Sequence, residues 1–173
     1  RLSDKNFFGL SVRGMTVSTI GLPEGLIKMT EHKQVKLAWS YRSSFEAVRR
    51  QLFPVLSRNI KLDLIVKAFR KYQDQTHKRI TIEYLLLKGL NDNQAEAEAL
   101  MKLSGMLFFH LNIIPYNATA NSEYKTPDAL SIKKFLEYFK KKPELEVSVR
   151  KSKGKDIKGA CGQLAGSAAE LNL

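Results

Sequence analysis

Five short runs of β-branched and aromatic residues recur along the chain with helix-patterned segments between them, and this alternation restricts the fold more than any other feature. The runs are "MTVSTIG" (15–21), "VKLAWSY" (35–41), "RITIEYLLL" (79–87), "HLNIIPYN" (110–117) and "LEVSVRKS" (145–152), each of the length and composition of a buried strand. Between them lies "KLDLIVKAFRKYQ", in which Leu62, Ile65, Phe69 and Tyr72 return every three or four residues as one apolar stripe. A second helical segment, "NQAEAEALMKL", follows Asp92, the expected N-cap, and a third, "SIKKFLEYFKKK", is expected to stop at Pro143. Strand followed by helix, about four times over, predicts an α/β fold with parallel strands, in an open sheet or part of a (β/α) barrel. Such sheets place their chemistry at the C-terminal ends of the strands.

At 173 residues and 43% hydrophobic the chain has the size of one unit, 1–173, with a real core. Its first residue is Arg, which leads us to expect a piece of something longer. The formal charge of +12 favours a polyanionic partner, most often nucleic acid, although charge alone does not choose among RNA, DNA and an acidic membrane surface. A single cysteine excludes an internal disulfide framework and any metal site held by several cysteines of this chain, and it points to a reducing compartment. No apolar run approaches the roughly 18 residues of a membrane span, and the N-terminus lacks a signal-peptide pattern. No membrane partner is expected, and nothing indicates an oligomer.

On a parallel sheet the polar residues closing each run converge on one mouth. These are Ser18 and Thr19, Ser40 and Arg42, then Asn112 and Asn117, with Glu83 inside the third run. Small hydroxyls, amides and a charge there suit a polar small-molecule ligand, while serine and asparagine at strand ends also serve as turn formers. Glu83 must be paired or face a wet cavity, since a lone buried carboxylate is costly. "NDN" (91–93) reads as a turn plus a helix cap, and the polar loop 117–130 as a binding or mobile loop. Residues 131–158 hold ten Lys and Arg against four acids, either a solvated face or phosphate contacts. "TIGLPEG" lacks the spacing of a dinucleotide fingerprint. His32 and His77 are expected at the surface and His110 as a packed or capping residue; none has metal-ligand spacing.

The one cysteine, Cys161, lies in "DIKGACGQLAG" just after the basic stretch "RKSKGK" (150–155), so that 150–166 form a basic loop and a cysteine loop. Taken in order, "MTVSTIGL", "VKLAWS", "RITIEYLLLKGLNDN", "HLNIIPYN", "VSVRKSKGKDI" and "ACGQLAG" resemble the C-terminal part of the radical S-adenosylmethionine methyltransferases that methylate adenosine in 23S ribosomal RNA. That family includes the maker of 2-methyladenosine in rRNA and some tRNAs, and a resistance relative that methylates position 8. The resemblance covers about residues 6–166.

It implies the C-terminal portion of a partial (β/α) radical-SAM barrel with S-adenosylmethionine at its mouth. By motif position Ser18, Ser40 and Asn117 would contact that cofactor, with the backbone at Tyr41 and Arg42 close by. Cys161 would be the methyl-accepting catalytic cysteine, activated as a methylene radical and linked transiently to the adenine. Arg150, Lys151, Lys153 and Lys155 would meet RNA. Independently, cations such as Lys155 and Lys158 would favour a thiolate if they face it, and Gly159, Ala160 and Gly162 permit a mobile loop. The family's CxxxCxxC motif for a [4Fe-4S] cluster is missing, so this chain has no metal site of its own, the cluster belongs to an absent N-terminal part, and the isolated chain is expected to be inactive. Where the family reads Ser-Leu-His this chain has Ser40, Tyr41 and Arg42. That departure also fits a degenerate, non-catalytic paralogue serving as an RNA-binding or ribosome-associated scaffold. The cytoplasm, or an organelle matrix in a eukaryote, is the expected location.

Overall fold

The structure is a computed structural model that describes residues 5, 6, 8–118 and 122–150. Five strands, β1 (Thr16–Thr19), β2 (Lys36–Tyr41), β3 (Ile80–Leu86), β4 (Phe109–Pro115) and β5 (Val147–Val149), form one sheet in sequence order. Every neighbouring pair is parallel. Each crossover carries at least one helix: α1 (Pro23–Met29), then α2 (Glu46–Leu52), α3 (Pro54–Asn59) and α4 (Leu62–Thr76), then α5 (Gln94–Leu103) and α6 (Ala129–Phe139). Each of the five strand-like runs of the sequence contains one of these strands, with β4 beginning one residue earlier, at Phe109.

The three long helices occur where the apolar spacing demands them. In α4, Ile65, Phe69 and Tyr72 are buried on one stripe, and the helix ends on His77, whose φ of 55° is a left-handed cap. Asn93, rather than Asp92, caps α5 by accepting from Glu96 N at 3.1 Å. Asp92 instead accepts from Gly89 N at 2.8 Å, holding the turn in which Gly89 has φ 74°. Helix α6 starts on the cap Asp128 and ends at Phe139, a few residues before Pro143. Helices α1, α2 and α3 are six or seven residues long, too short for periodicity to reveal.

Strand register separates the sheet into two faces. Leu37 and Trp39 of β2, Ile80, Ile82, Tyr84 and Leu86 of β3, and Phe109, Leu111 and Ile113 of β4 lie buried in one core with Leu26, Ile65, Phe69, Leu100, Leu103 and Phe135 from the helices. Trp39 is packed between Tyr41 and Phe69, with ring centroids 4.8 and 4.5 Å away. Gly21 is fixed by this packing: its φ is 93°, and a Cβ there would stand 2.5 Å from the Ile65 side chain. On the other face the register aligns Ser18, Ala38, Thr81 and His110 in one row and Ser40, Glu83, Asn112 and Ser148 in the next. That face is largely polar in these two rows. Among the described residues no helix is long and apolar enough to cross a membrane.

Candidate active site at the strand ends

The polar rows are joined by their own hydrogen bonds. Ser18 Oγ donates to Glu83 Oε2 at 3.3 Å and lies 3.4 Å from Ser40 Oγ. Ser148 Oγ meets His110 Nε2 at 2.9 Å and Asn112 Oδ1 at 3.3 Å. Glu83 therefore takes both options open to it: it has a hydroxyl partner, and it is half-buried on the face that the helices leave uncovered. Arg42, the first residue beyond β2, has its guanidinium 5.2 Å from the Phe53 ring centroid. Burial lowers its pKa, and the charge of Glu83 opposes that shift.

Of the residues singled out from the sequence, the structure brings Ser18, Ser40, Glu83 and Arg42 together. Asn117 stands two residues past β4, at the same end of the sheet. Tyr41 differs: its ring is on the helix-covered face, 3% exposed, and its hydroxyl donates to Ser44 Oγ at 2.9 Å. Burial pushes the phenol well above its ordinary range, so the Tyr41 side chain is a core group and only its backbone lies near the polar face. Arg150 is exposed directly after β5, its N–H donating to Ile113 O at 2.8 Å. Cys161 and the basic residues Lys151, Lys153 and Lys155 lie outside the described residues. Among the described residues no group of His, Cys, Asp and Glu could hold a metal ion.

Two functional supports escaped the sequence reading. Asn91, read there as part of a turn and cap, is fully buried. Its Oδ1 accepts from Leu87 N at 2.7 Å, and its Nδ2 donates to Arg42 O and to Leu85 O, both at 2.8 Å. One side chain thus ties the loop after β2 to the end of β3. Glu96, 1% exposed, does the same from α5: it accepts from the Ser43 hydroxyl and, at 2.9 Å, from Ser44 N. Burial raises its pKa, partly offset by these donors. The only sequence signal was the Asn93-x-x-Glu96 spacing of a capping box, which would have sent the carboxylate back to its own helix rather than across to Ser43.

The rim is tied at further points. Lys88 pairs with Asp128, which also caps α6, and the backbone of Lys88 bridges to Lys125. In the loop after β4, the Tyr116 hydroxyl donates to Ser122 Oγ at 2.6 Å, and Tyr124 N donates to the same oxygen at 3.1 Å. A separate cavity of about 460 Å³, lined by Arg70, Gln73, His77, Lys78 and Phe108 among others, opens at the opposite end, where the strands begin. It shares no residue with the polar rows, and parallel α/β sheets do not carry their chemistry at that end.

No protein-family model matches the chain. It is 37% identical over 169 residues to the ribosomal RNA large subunit methyltransferase Cfr of Clostridium botulinum strain Hall, covering 94% of this chain and 48% of that protein. It is also 37% identical, over 164 residues, to the probable dual-specificity RNA methyltransferase RlmN of Clostridioides difficile strain 630, covering 94% of this chain and 47% of that one. The crystal structure of a radical SAM methyltransferase from Sphaerobacter thermophilus superposes with a TM-score of 0.86 at 34% identity, over 94% of this chain and 47% of that one. Over nearly all of its own length the chain is thus similar to the Cfr and RlmN methyltransferases and to a solved radical SAM methyltransferase. It spans about half the length of these relatives. A domain of pyruvate-formate lyase-activating enzyme from Bacteroides vulgatus, 15% identical with a TM-score of 0.59, shares the fold alone. The parallel α/β architecture expected from the alternating runs is thus the observed one.

Proposed function

We propose that this chain forms part of a radical SAM methyltransferase acting on adenosine in 23S rRNA, and in tRNA as well. The observation that carries the reading is the cluster of Ser18, Ser40, Glu83 and Arg42 where the strands end, in a chain 37% identical to Cfr over nearly all its length. These groups suit S-adenosylmethionine: hydroxyls and a carboxylate accept from its ammonium and ribose hydroxyls, and a guanidinium meets its carboxylate. When bound, that cofactor supplies the methyl group. Ser18 and Ser40 would hold it, with Asn117 and the backbone at Tyr41 and Arg42 completing the site. Asn91 and Glu96 keep the Arg42–Ser44 loop in place and act as positioning residues. Cys161 would accept the methyl group from the cofactor's sulfonium, which would leave as S-adenosylhomocysteine, and Arg150 and the lysines after it would engage RNA. The chain's single cysteine supplies at most one thiolate, so a [4Fe-4S] cluster takes its ligands from elsewhere in the polypeptide.

The test is a Cys161→Ala variant of the full polypeptide in which this chain occurs. RNA methylation is expected to be lost while S-adenosylhomocysteine still binds; methylation persisting at the wild-type rate would refute the assignment.

A further inference from the structure

The helices α2 and α3 follow β2 at the end of the sheet that carries the polar cluster, and their surface is unusually basic. From 42 to 61 the cations are Arg42, Arg49, Arg50, Arg58 and Lys61, and the one acid is Glu46. Glu46 is already committed, to Arg49 at 2.7 Å and to Leu62 N at 3.3 Å. Arg50, Arg58 and Lys61 are exposed and have no ion-pair partner among the described residues. Exposed cations on α2, on α3 and at the N-cap of α4, in a chain of net charge +12, call for an anionic partner.

An aromatic residue, Phe45, stands at the N-cap of α2. Phe45 is 43% exposed, yet its backbone is held firmly: its N–H donates to Ser43 Oγ at 2.9 Å, and the Ser43 hydroxyl in turn donates to the buried Glu96. Val55 on α3 adds apolar surface at 74% exposure. A large ring held partly in water by a buried polar anchor is open to contact from solvent. Exposed aromatics beside unpaired cations are the pattern with which proteins hold unpaired nucleotides, rings stacking on bases and cations tracking phosphates.

We propose that the α2–α3 rim is a docking surface for an unpaired RNA strand, with Phe45 stacking on a base and Arg50, Arg58 and Lys61 meeting phosphates. The proposal rests on the methyltransferase reading above and adds to it the route by which the RNA reaches the mouth. It places RNA on the β2 side of the site, across from Arg150 after β5.

The experiment measures binding of a fluorescent adenosine-containing RNA stem-loop to the full polypeptide across a salt series, with S-adenosylhomocysteine binding as a second readout. Phe45→Ala is expected to weaken RNA binding about 5-fold or more, and Phe45→Trp to restore it. The double reversal Arg50→Glu with Arg58→Glu is expected to lower the slope of log affinity against log salt by roughly 1.4, for two lost contacts to a single strand. The same charge change at the opposite end, Arg70→Glu with Lys78→Glu, should leave that slope unchanged, and none of the variants should alter S-adenosylhomocysteine binding. Wild-type RNA affinity in the Phe45→Ala and Arg50/Arg58 variants overturns the docking surface and leaves the methyltransferase reading intact. Failure of the wild-type polypeptide to bind RNA overturns both.

Discussion

Along β3 the residues Ile80, Ile82, Tyr84 and Leu86 are buried beneath helices, while Thr81, Glu83 and Leu85, alternating with them, stay half-exposed on the other face. The backbone ladder is common to both faces, so the difference lies in the side chains alone. On the covered face apolar area removed from water stabilises the fold. On the other face the polar rows are joined by hydrogen bonds of their own, Ser18 to Glu83 and Ser148 to His110 and Asn112. The apolar core and the proposed cofactor site thus lie on opposite faces of one sheet, and substitutions should separate stability from binding.

The largest effect is expected on the covered face. Ile82 is fully buried at the centre of the sheet, and Ile82→Ala should lower the unfolding free energy by about 3 kcal/mol through lost transfer energy and the cavity left behind. Urea unfolding followed by circular dichroism measures it. A loss below about 1 kcal/mol would mean that the helix layer does not carry the stability of the fold.

A loss close behind is expected where the two assignments meet. Asn91→Ala leaves Leu87 N, Arg42 O and Leu85 O without partners in a buried place, a cost of roughly 2–3 kcal/mol. Because Arg42 O is among them, S-adenosylhomocysteine affinity should fall in the still-folded fraction. Stability lost with affinity untouched would show Asn91 to be a fold residue only.

On the uncovered face the expected order inverts. Glu83→Gln keeps size and an acceptor for Ser18 and should change stability by no more than about 0.5 kcal/mol. It removes the carboxylate from the cluster with Arg42, so calorimetry should show S-adenosylhomocysteine binding several-fold more weakly. A variant that binds as tightly as wild type would make Glu83 a structural partner of Ser18.

These contrasts explain what could be read in advance. The strands were legible because they are short runs rich in β-branched and aromatic residues, with apolar residues alternating onto one buried face as at Ile80, Ile82, Tyr84 and Leu86, and α4 was legible because Leu62, Ile65, Phe69 and Tyr72 form a stripe. Ser18, Ser40 and Arg42 were legible as polar residues ending such runs. Asn91 and Glu96 were not, because their partners, Arg42, Ser43 and Ser44, are about fifty residues away in sequence. A bond of that separation leaves no local pattern, and each residue also fits a local cap. The N-cap of α5 was misassigned by one residue because Asp92 and Asn93 are both good caps; Gly89 decides between them by engaging Asp92.

The smallest effect expected is a pH dependence, and it tests whether the rim anchor is electrostatically costly. Burial raises the Glu96 pKa above its ordinary 4.5, with Ser43 and Ser44 opposing the shift. Above 4.5 the unfolded chain has released the proton that the folded state still holds, so rising pH favours unfolding until the folded pKa is passed. This group's contribution is fully present below 4.5 and is lost across that window. Glu96→Gln keeps an oxygen for Ser44 N and does not titrate. The stability of wild type relative to Glu96→Gln should therefore decline from pH 4 upward, no more steeply than about 1.4 kcal/mol per pH unit, and then level off. Urea melts at half-unit intervals would resolve it. A wild type that gains on Glu96→Gln as pH rises would show that the Ser43 and Ser44 donors outweigh burial, and that the anchor presenting Phe45 is held by charge-assisted hydrogen bonds.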